Sequence, residues 1–273
     1  MGRFDGILIC TDLDGTLYRN DKTISPENKE AIEYFKREGG YFTFITGRMP
    51  YYSLDAYRAV NPNVPFGCIN GGGLYDGERG EYVFTQILEK RVTELIDYVE
   101  ERFSDVGIQV CNFYKTYFVK ENTTTVNFRK ITGLPYISAD YHRIEDDFAK
   151  IIFCSDREED ILGIEKAIKA HPLSSDFDFI RTEKNLCELL PKGINKGVAI
   201  KKLAEHLKLD PKKTIGIGDY NNDIPMFEAA GVGVAVANAA KEALDAADIV
   251  TVSNEEHAIA KIIYDLESGA LTL

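Results

Sequence analysis

The sequence lacks several things, and each absence closes off a class of function. Its 273 residues contain no run near the eighteen or so apolar residues that a membrane helix requires, so no membrane span is expected. Positive charge is scarce. Against 44 Asp and Glu stand 32 Lys and Arg, a formal charge of −12, which argues against nucleic acid as the main partner. A small anionic substrate stays open, because a metal ion and a few aimed donors can hold a phosphate locally. There is no Cys-x-x-Cys pair: five cysteines stand apart at positions 10, 68, 111, 154 and 187. Set mostly in apolar runs such as ILIC and IIFC, they read as reduced thiols of a cytoplasmic protein, and a zinc site is not expected. The opening MGRFDGILICTD lacks the cleavage region of a signal peptide. No repeat or low-complexity tract is present.

What is present is ordinary globular material, 44% hydrophobic and 28% charged, enough to bury a core. The length suits one large domain carrying a substantial insertion. Near the N-terminus the pattern alternates strand and helix. The run Ile7 to Cys10 ends in TDLDGT, as a buried parallel strand with a functional carboxyl end would. Ser25-Pro26 then opens a helix, with Ala31, Ile32 and Phe35 at helical spacing and Gly39-Gly40 as the stop. A second strand, YFTFI, ends in Thr46-Gly47-Arg48, and a third, FGCI, ends in Asn70-Gly71-Gly72-Gly73. The alternation returns after Asn195, with a helix, the strand TIGIG ending at Asp219, a helix containing Met226 and Phe227, the strand VGVAV, and a last strand and helix. It predicts a Rossmann-like, doubly wound parallel α/β sheet, whose ligand crevice lies at the carboxyl ends of the strands.

Between these halves the texture changes to alternating strand patterns, such as TYFVKEN and DFDFIR, with amphipathic helices near 89–102 and 157–170. The reading is a core made of residues 1–82 and 191–273, with an inserted α+β domain over 83–190.

Four short motifs carry the chemistry. In Asp12-Leu13-Asp14-Gly15-Thr16, two carboxylates two residues apart can divide labour: one attacks, the other moves protons. The plain alternative is a polar loop after a strand. Thr46 and Gly47 can donate to an anion, although Thr-Gly is also a common turn pair. Lys196 stands in the first turn of a helix, where a cation opposes the dipole. An anion held there would account for it, as would simple solvation at the surface. In Gly218-Asp219-Tyr220-Asn221-Asn222-Asp223, carboxylates at a strand end offer the hard oxygens that suit magnesium, and Asp223 also fits a helix N-cap.

The four in this order resemble the haloacid dehalogenase-like hydrolase superfamily: Asp-x-Asp-Gly-Thr, then Thr/Ser, then Lys, then Gly-Asp-x-x-Asn-Asp. With GDYNNDIPMFEAAG and INGGGLYDG, the chain looks like the Cof-type phosphatases, which carry a large type-two α/β cap between the second and third motifs. The resemblance implies that Asp12 is the nucleophile and Asp14 the acid and base. It implies Mg2+ held by Asp12, the Asp14 carbonyl, Asp219 and Asp223. It assigns the phosphate to Leu13, Thr46, Gly47, Lys196 and Asn222. The implied substrate is a small phosphorylated metabolite, sugar phosphates first, then pyridoxal phosphate or flavin mononucleotide. A phosphomutase would share the Asp pair, and a metabolite sensor could keep the site without turnover. Asp14 speaks against a dehalogenase. Neither oligomeric state nor the identity of the metabolite is encoded in these motifs.

Overall fold

The computed structural model describes residues 2–273. Along the chain come β1 (Leu8–Thr11), α1 (Pro26–Arg37), β2 (Tyr41–Phe44), α2 (Leu54–Val60), β3 (Phe66–Cys68), β4 (Gly73–Asp76) and β5 (Glu81–Thr85). Then follow α3 (Thr93–Glu100), β6 (Gly107–Asn112), β7 (Thr116–Lys120), α4 (Thr123–Thr132), β8 (Phe148–Cys154), α5 (Glu158–Ala170), β9 (Phe177–Glu183) and β10 (Leu186–Pro191). The last third holds α6 (Lys196–Leu207), β11 (Thr214–Gly218), α7 (Ile224–Ala229), β12 (Val232–Ala235), α8 (Lys241–Ala246), β13 (Ile249–Val250) and α9 (Ala258–Ser268). The chain divides into two compact units, Met1–Thr85 with Asn195–Leu273, and Gln86–Ile194. Residue 82, where the sequence pattern sets the first junction, lies inside β5, and the return to the first unit comes at Asn195. No described helix is long and apolar enough to cross a membrane.

The first unit is a doubly wound α/β fold on a parallel sheet of order β13-β12-β11-β1-β2. Leu8 aligns with Thr214 on one side and Tyr41 on the other, so the motif-bearing ends of β1, β2 and β11 finish at one edge. Every residue of β1 and of β11 is buried, as strands covered on both faces require. The helices begin where capping chemistry permits. Ser25 Oγ accepts from Asn28 N–H at 3.2 Å with Pro26 in the first turn, and Asn195 Oδ1 accepts from Val198 N–H at 3.2 Å. Phe35 and Ile32 of α1 bury against the core at 0% exposure, each worth roughly 2 kcal/mol.

One expected element differs. The FGCI strand meets the parallel sheet only at a single bridge, Ile45 to Gly67, and otherwise forms an antiparallel sheet of order β3-β4-β5. The cause is local. Ile69, Asn70 and Gly71 take φ of 56°, 51° and 99°, a left-handed run that turns the chain back on itself. Such φ is costly for a β-branched residue, and it sits at the carboxyl end of β3.

The second unit is an antiparallel sheet of order β7-β6-β8-β10-β9. Ile161, Ile164 and Ile168 of α5 and Leu95, Ile96 and Val99 of α3 bury into one cluster with Ile108, Val110, Ile151, Phe153 and Leu189. Those strand positions alternate, so one sheet face is apolar and covered by helices. The opposite face carries Gln109, Lys150 and Glu188, all buried.

Candidate active site

Asp12 closes β1. Its N–H donates to Ile217 O at 2.8 Å, tying it to β11, and it is 7% exposed. Beyond it the chain makes one wide turn in which Leu17 N–H reaches Asp12 O and Tyr18 N–H reaches Leu13 O, at 3.3 and 2.8 Å. Gly15 permits the turn with φ of 81°. It is also needed for space, since a Cβ there would lie 2.4 Å from Asp219 Oδ2. Thr16 fixes the turn, its hydroxyl donating to Asp219 Oδ1 at 2.9 Å.

Lys196 is no surface lysine. It is 1% exposed, and its Nζ donates to Asp12 Oδ1 and to Asp223 Oδ1, both at 2.6 Å. Two carboxylates therefore explain a cation in the first turn of α6, against the dipole. Asp223 departs from the plain N-cap reading. Its second oxygen points back and accepts from the Asp219 and Tyr220 amides at 3.0 Å each, and no side-chain cap bond to α7 forms. Gly218 makes room for that carboxylate: a Cβ there would fall 2.3 Å from Asp223 Cγ.

Carboxylate oxygens of Asp12, Asp219 and Asp223 lie within 4.8 Å of one another. Burial, opposed by the neighbouring Lys196, pushes Asp12 up to about 8. Burial and the Asp223 charge push Asp219 up to about 6. The lysine keeps its proton: burial works against the ammonium, but the Asp12 and Asp223 charges lift it above its ordinary value. Three acids against one cation leave net negative charge in a buried place. Hard oxygens that are short of positive charge fit a divalent ion, and the donor set suits magnesium.

Asp14 stands apart from this trio. Its carboxylate is gripped by Arg48, Nε at 2.9 Å and a terminal nitrogen at 2.8 Å, and by Lys22 Nζ at 2.9 Å. Burial alone would raise its pKa, yet the Arg48 and Lys22 charges and hydrogen bonds prevail and hold it low. Arg48 in turn lies over the Tyr18 ring, 5.6 Å from its centre. The motif Thr46-Gly47-Arg48 displays Arg48, but nothing in its spacing names Asp14 as the partner. Lys22, at φ of 63°, carries no sequence signal.

Thr46 is 2% exposed, with its hydroxyl accepting from Arg48 N–H at 3.2 Å. A Cβ on Gly47 would come 3.0 Å from Asn70 Nδ2, and Asn70 Oδ1 accepts from Asn222 Nδ2 at 3.2 Å. Asn70 thus links the second motif to the fourth, a residue whose part the sequence pattern missed. Its neighbour Gly71 abuts Asn195 O, where a Cβ would sit at 2.1 Å, so the same turn is wedged against the start of α6. Leu13 is buried, its carbonyl taken by Tyr18. All four motifs converge at the strand ends of the first unit.

Residues 9–263 match a family model described as haloacid dehalogenase-like hydrolase. A putative phosphatase of Bacillus subtilis (strain 168), YkrA, is 28% identical over 275 residues, covering 96% of this chain and 98% of its own. The 5-amino-6-(5-phospho-D-ribitylamino)uracil phosphatase YitU of the same organism is 27% identical over 262 residues, covering 94% and 96%. Among solved structures, the subclass IIB sugar phosphatase BT4131 superposes with a TM-score of 0.82 at 20% identity, covering 97% of this chain and 100% of its own. With the model spanning nearly the whole sequence and the four motifs brought together at one sheet edge, the chain belongs to the haloacid dehalogenase-like hydrolase family.

Proposed function

We propose that this hydrolase, a phosphatase of Cof type, depends on magnesium and cleaves small phosphorylated metabolites, sugar phosphates first among them, through an acyl phosphate on Asp12. The observation that carries the reading is the buried Lys196, which bridges Asp12 and Asp223 beside Asp219. An Asp12 oxygen attacks phosphorus, and the bond from phosphorus to the leaving oxygen breaks as Asp14 gives that oxygen a proton. Asp14 then takes a proton from water, whose oxygen attacks the acyl phosphate, releasing inorganic phosphate and restoring Asp12. The Arg48 and Lys22 grip favours the carboxylate form of Asp14, which serves this second half and works against the first, where Asp14 must carry the proton. Lys196, the Leu13 amide, Thr46, Gly47 and Asn222 hold the phosphoryl oxygens. Asp12, the Asp14 carbonyl, Asp219 and Asp223 hold the magnesium, which when bound supplies charge neutralisation.

Residues 86–194 are the inserted unit to which we assign the choice of leaving group. Support for a polyol-bearing substrate comes from two similar proteins, one acting on a phosphoribityl compound and one titled a sugar phosphatase. A net charge of −12 favours such substrates over nucleic acid, and five buried free thiols fit a reducing cytoplasm. The test is phosphate release over a panel of phosphorylated metabolites, with magnesium and with excess chelator. Activity should vanish in chelator and fall about 10⁴-fold or more in Asp12→Asn. Steady hydrolysis by that variant would refute the nucleophile.

A further inference from the structure

The loop after β12 holds both sides of the acidic cluster. Ala240 N–H donates to Asp219 O at 2.8 Å. From the same loop, Asn238 Nδ2 donates to Gly15 O at 2.8 Å. The Asn238 amide is oriented from its other end, since its Oδ1 accepts from Asn254 N–H at 2.9 Å. Asn254 is 2% exposed, and its own side chain donates to Tyr18 O at 3.0 Å and to Asn20 Oδ1 at 3.3 Å. A strut of two asparagines therefore runs from Gly15, in the middle of the nucleophile turn, to Tyr18 at its end. Neither asparagine belongs to the four motifs.

We propose that Asn238 is a positioning residue for the divalent-metal site, acting through the Gly15–Thr16 peptide and the Thr16 hydroxyl on Asp219. The peptide that Asn238 grips at its carbonyl ends in Thr16, whose hydroxyl holds Asp219 Oδ1. The other oxygen of Asp219 packs where a Gly15 Cβ would go. Releasing Gly15 O frees the peptide to rotate, and that rotation moves the Thr16 hydroxyl and the wall against which Asp219 rests. Asn238 is exposed to solvent, so water competes for its bonds. The buried Asn254 behind it makes the amide hold one orientation. The expected effect is thus at the lower end for residues that orient metal ligands, about 10-fold in affinity.

The inference rests on the proposed metal site, and titration calorimetry with Mg2+ alone separates the two. Asp219→Ala should abolish Mg2+ binding to the full-length protein. If Asp219→Ala binds as wild type does, the metal reading itself fails. Given that loss, Asn238→Ala should bind Mg2+ about 10-fold more weakly, while Lys241→Ala, on the exposed start of α8, binds as wild type. Thr16→Val should show a comparable loss, and adding Asn238→Ala to it should bring less than about a further twofold, because both act along one path. An Asn238→Ala affinity within twofold of wild type would overturn the role. So would losses that multiply in the double variant, or an equal loss in Lys241→Ala.

Discussion

Each unit buries a lysine, and the two are buried on different terms. In the second unit Lys150 Nζ meets Glu188 Oε1 at 2.7 Å, with side-chain exposures of 2% and 6%. There one cation meets one anion. In the first unit Lys196, equally buried, faces Asp12 and Asp223, and Asp219 completes the group. The charges do not cancel, and two of the acids are driven above their ordinary pKa. A balanced buried pair tells little about function, because neutrality is what burial demands anyway. A buried cluster left with excess charge of one sign calls for a partner from outside the chain.

Lys150→Met leaves Glu188 buried without its cation and should cost about 3–5 kcal/mol in denaturant unfolding of the whole protein. Adding Glu188→Leu should recover most of it, since a well-packed apolar pair often matches an ion pair. A single variant as stable as wild type would show that the pair is hydrated and that the contrast is false.

Magnesium should act on the first unit alone. Because the excess charge lies in the first unit, the ion at about 100 times its dissociation constant should stabilise wild type by about 2.7 kcal/mol. That gain, read as a rise in melting temperature, should persist in Lys150→Met and disappear in Asp219→Ala. Equal rises in all three would mean that the cation acts elsewhere.

These contrasts divide along the line of what sequence can express. The sheet, its strand ends, the cap at Ser25 and the helix start after Asn195 follow from local periodicity and side-chain chemistry, and all of them are legible in order along the chain. So is the set of motifs, because each sits at the end of an apolar run. Burial of Lys196 was not legible, since a first-turn lysine looks the same whether it faces water or two carboxylates from 27 and 184 positions away. The grip of Arg48 and Lys22 on Asp14, and the tie from Asn70 to Asn222, are likewise tertiary facts. The β3 to β5 hairpin escaped for a different reason. It depends on left-handed Ile69 and Asn70, and no propensity assigns that conformation to the β-branched Ile69.

The smallest effect is the finest test of charge imbalance. In chelator, Asp219 has a folded pKa of about 6, raised by burial and by Asp223, against roughly 3.9 in an unfolded chain. A raised carboxyl binds its proton more tightly when folded. Its favourable contribution is therefore complete below about pH 3.9 and is lost as pH climbs through 6. Above that, the ionised Asp219 is a burden that the fold carries. Asn at this position keeps the acceptor for the Thr16 hydroxyl and removes the charge. Asp219→Asn should then be more stable than wild type by roughly 1–2 kcal/mol at pH 8 without metal, allowing for partial screening. The gap should close toward pH 4. With saturating magnesium the order should reverse, because only wild type gains the ion. Denaturant curves at the two pH values, with and without the cation, read all four states. A variant less stable than wild type at pH 8 in chelator would mean that Asp219 carries no unfavourable charge, and that the first unit is as balanced as the second.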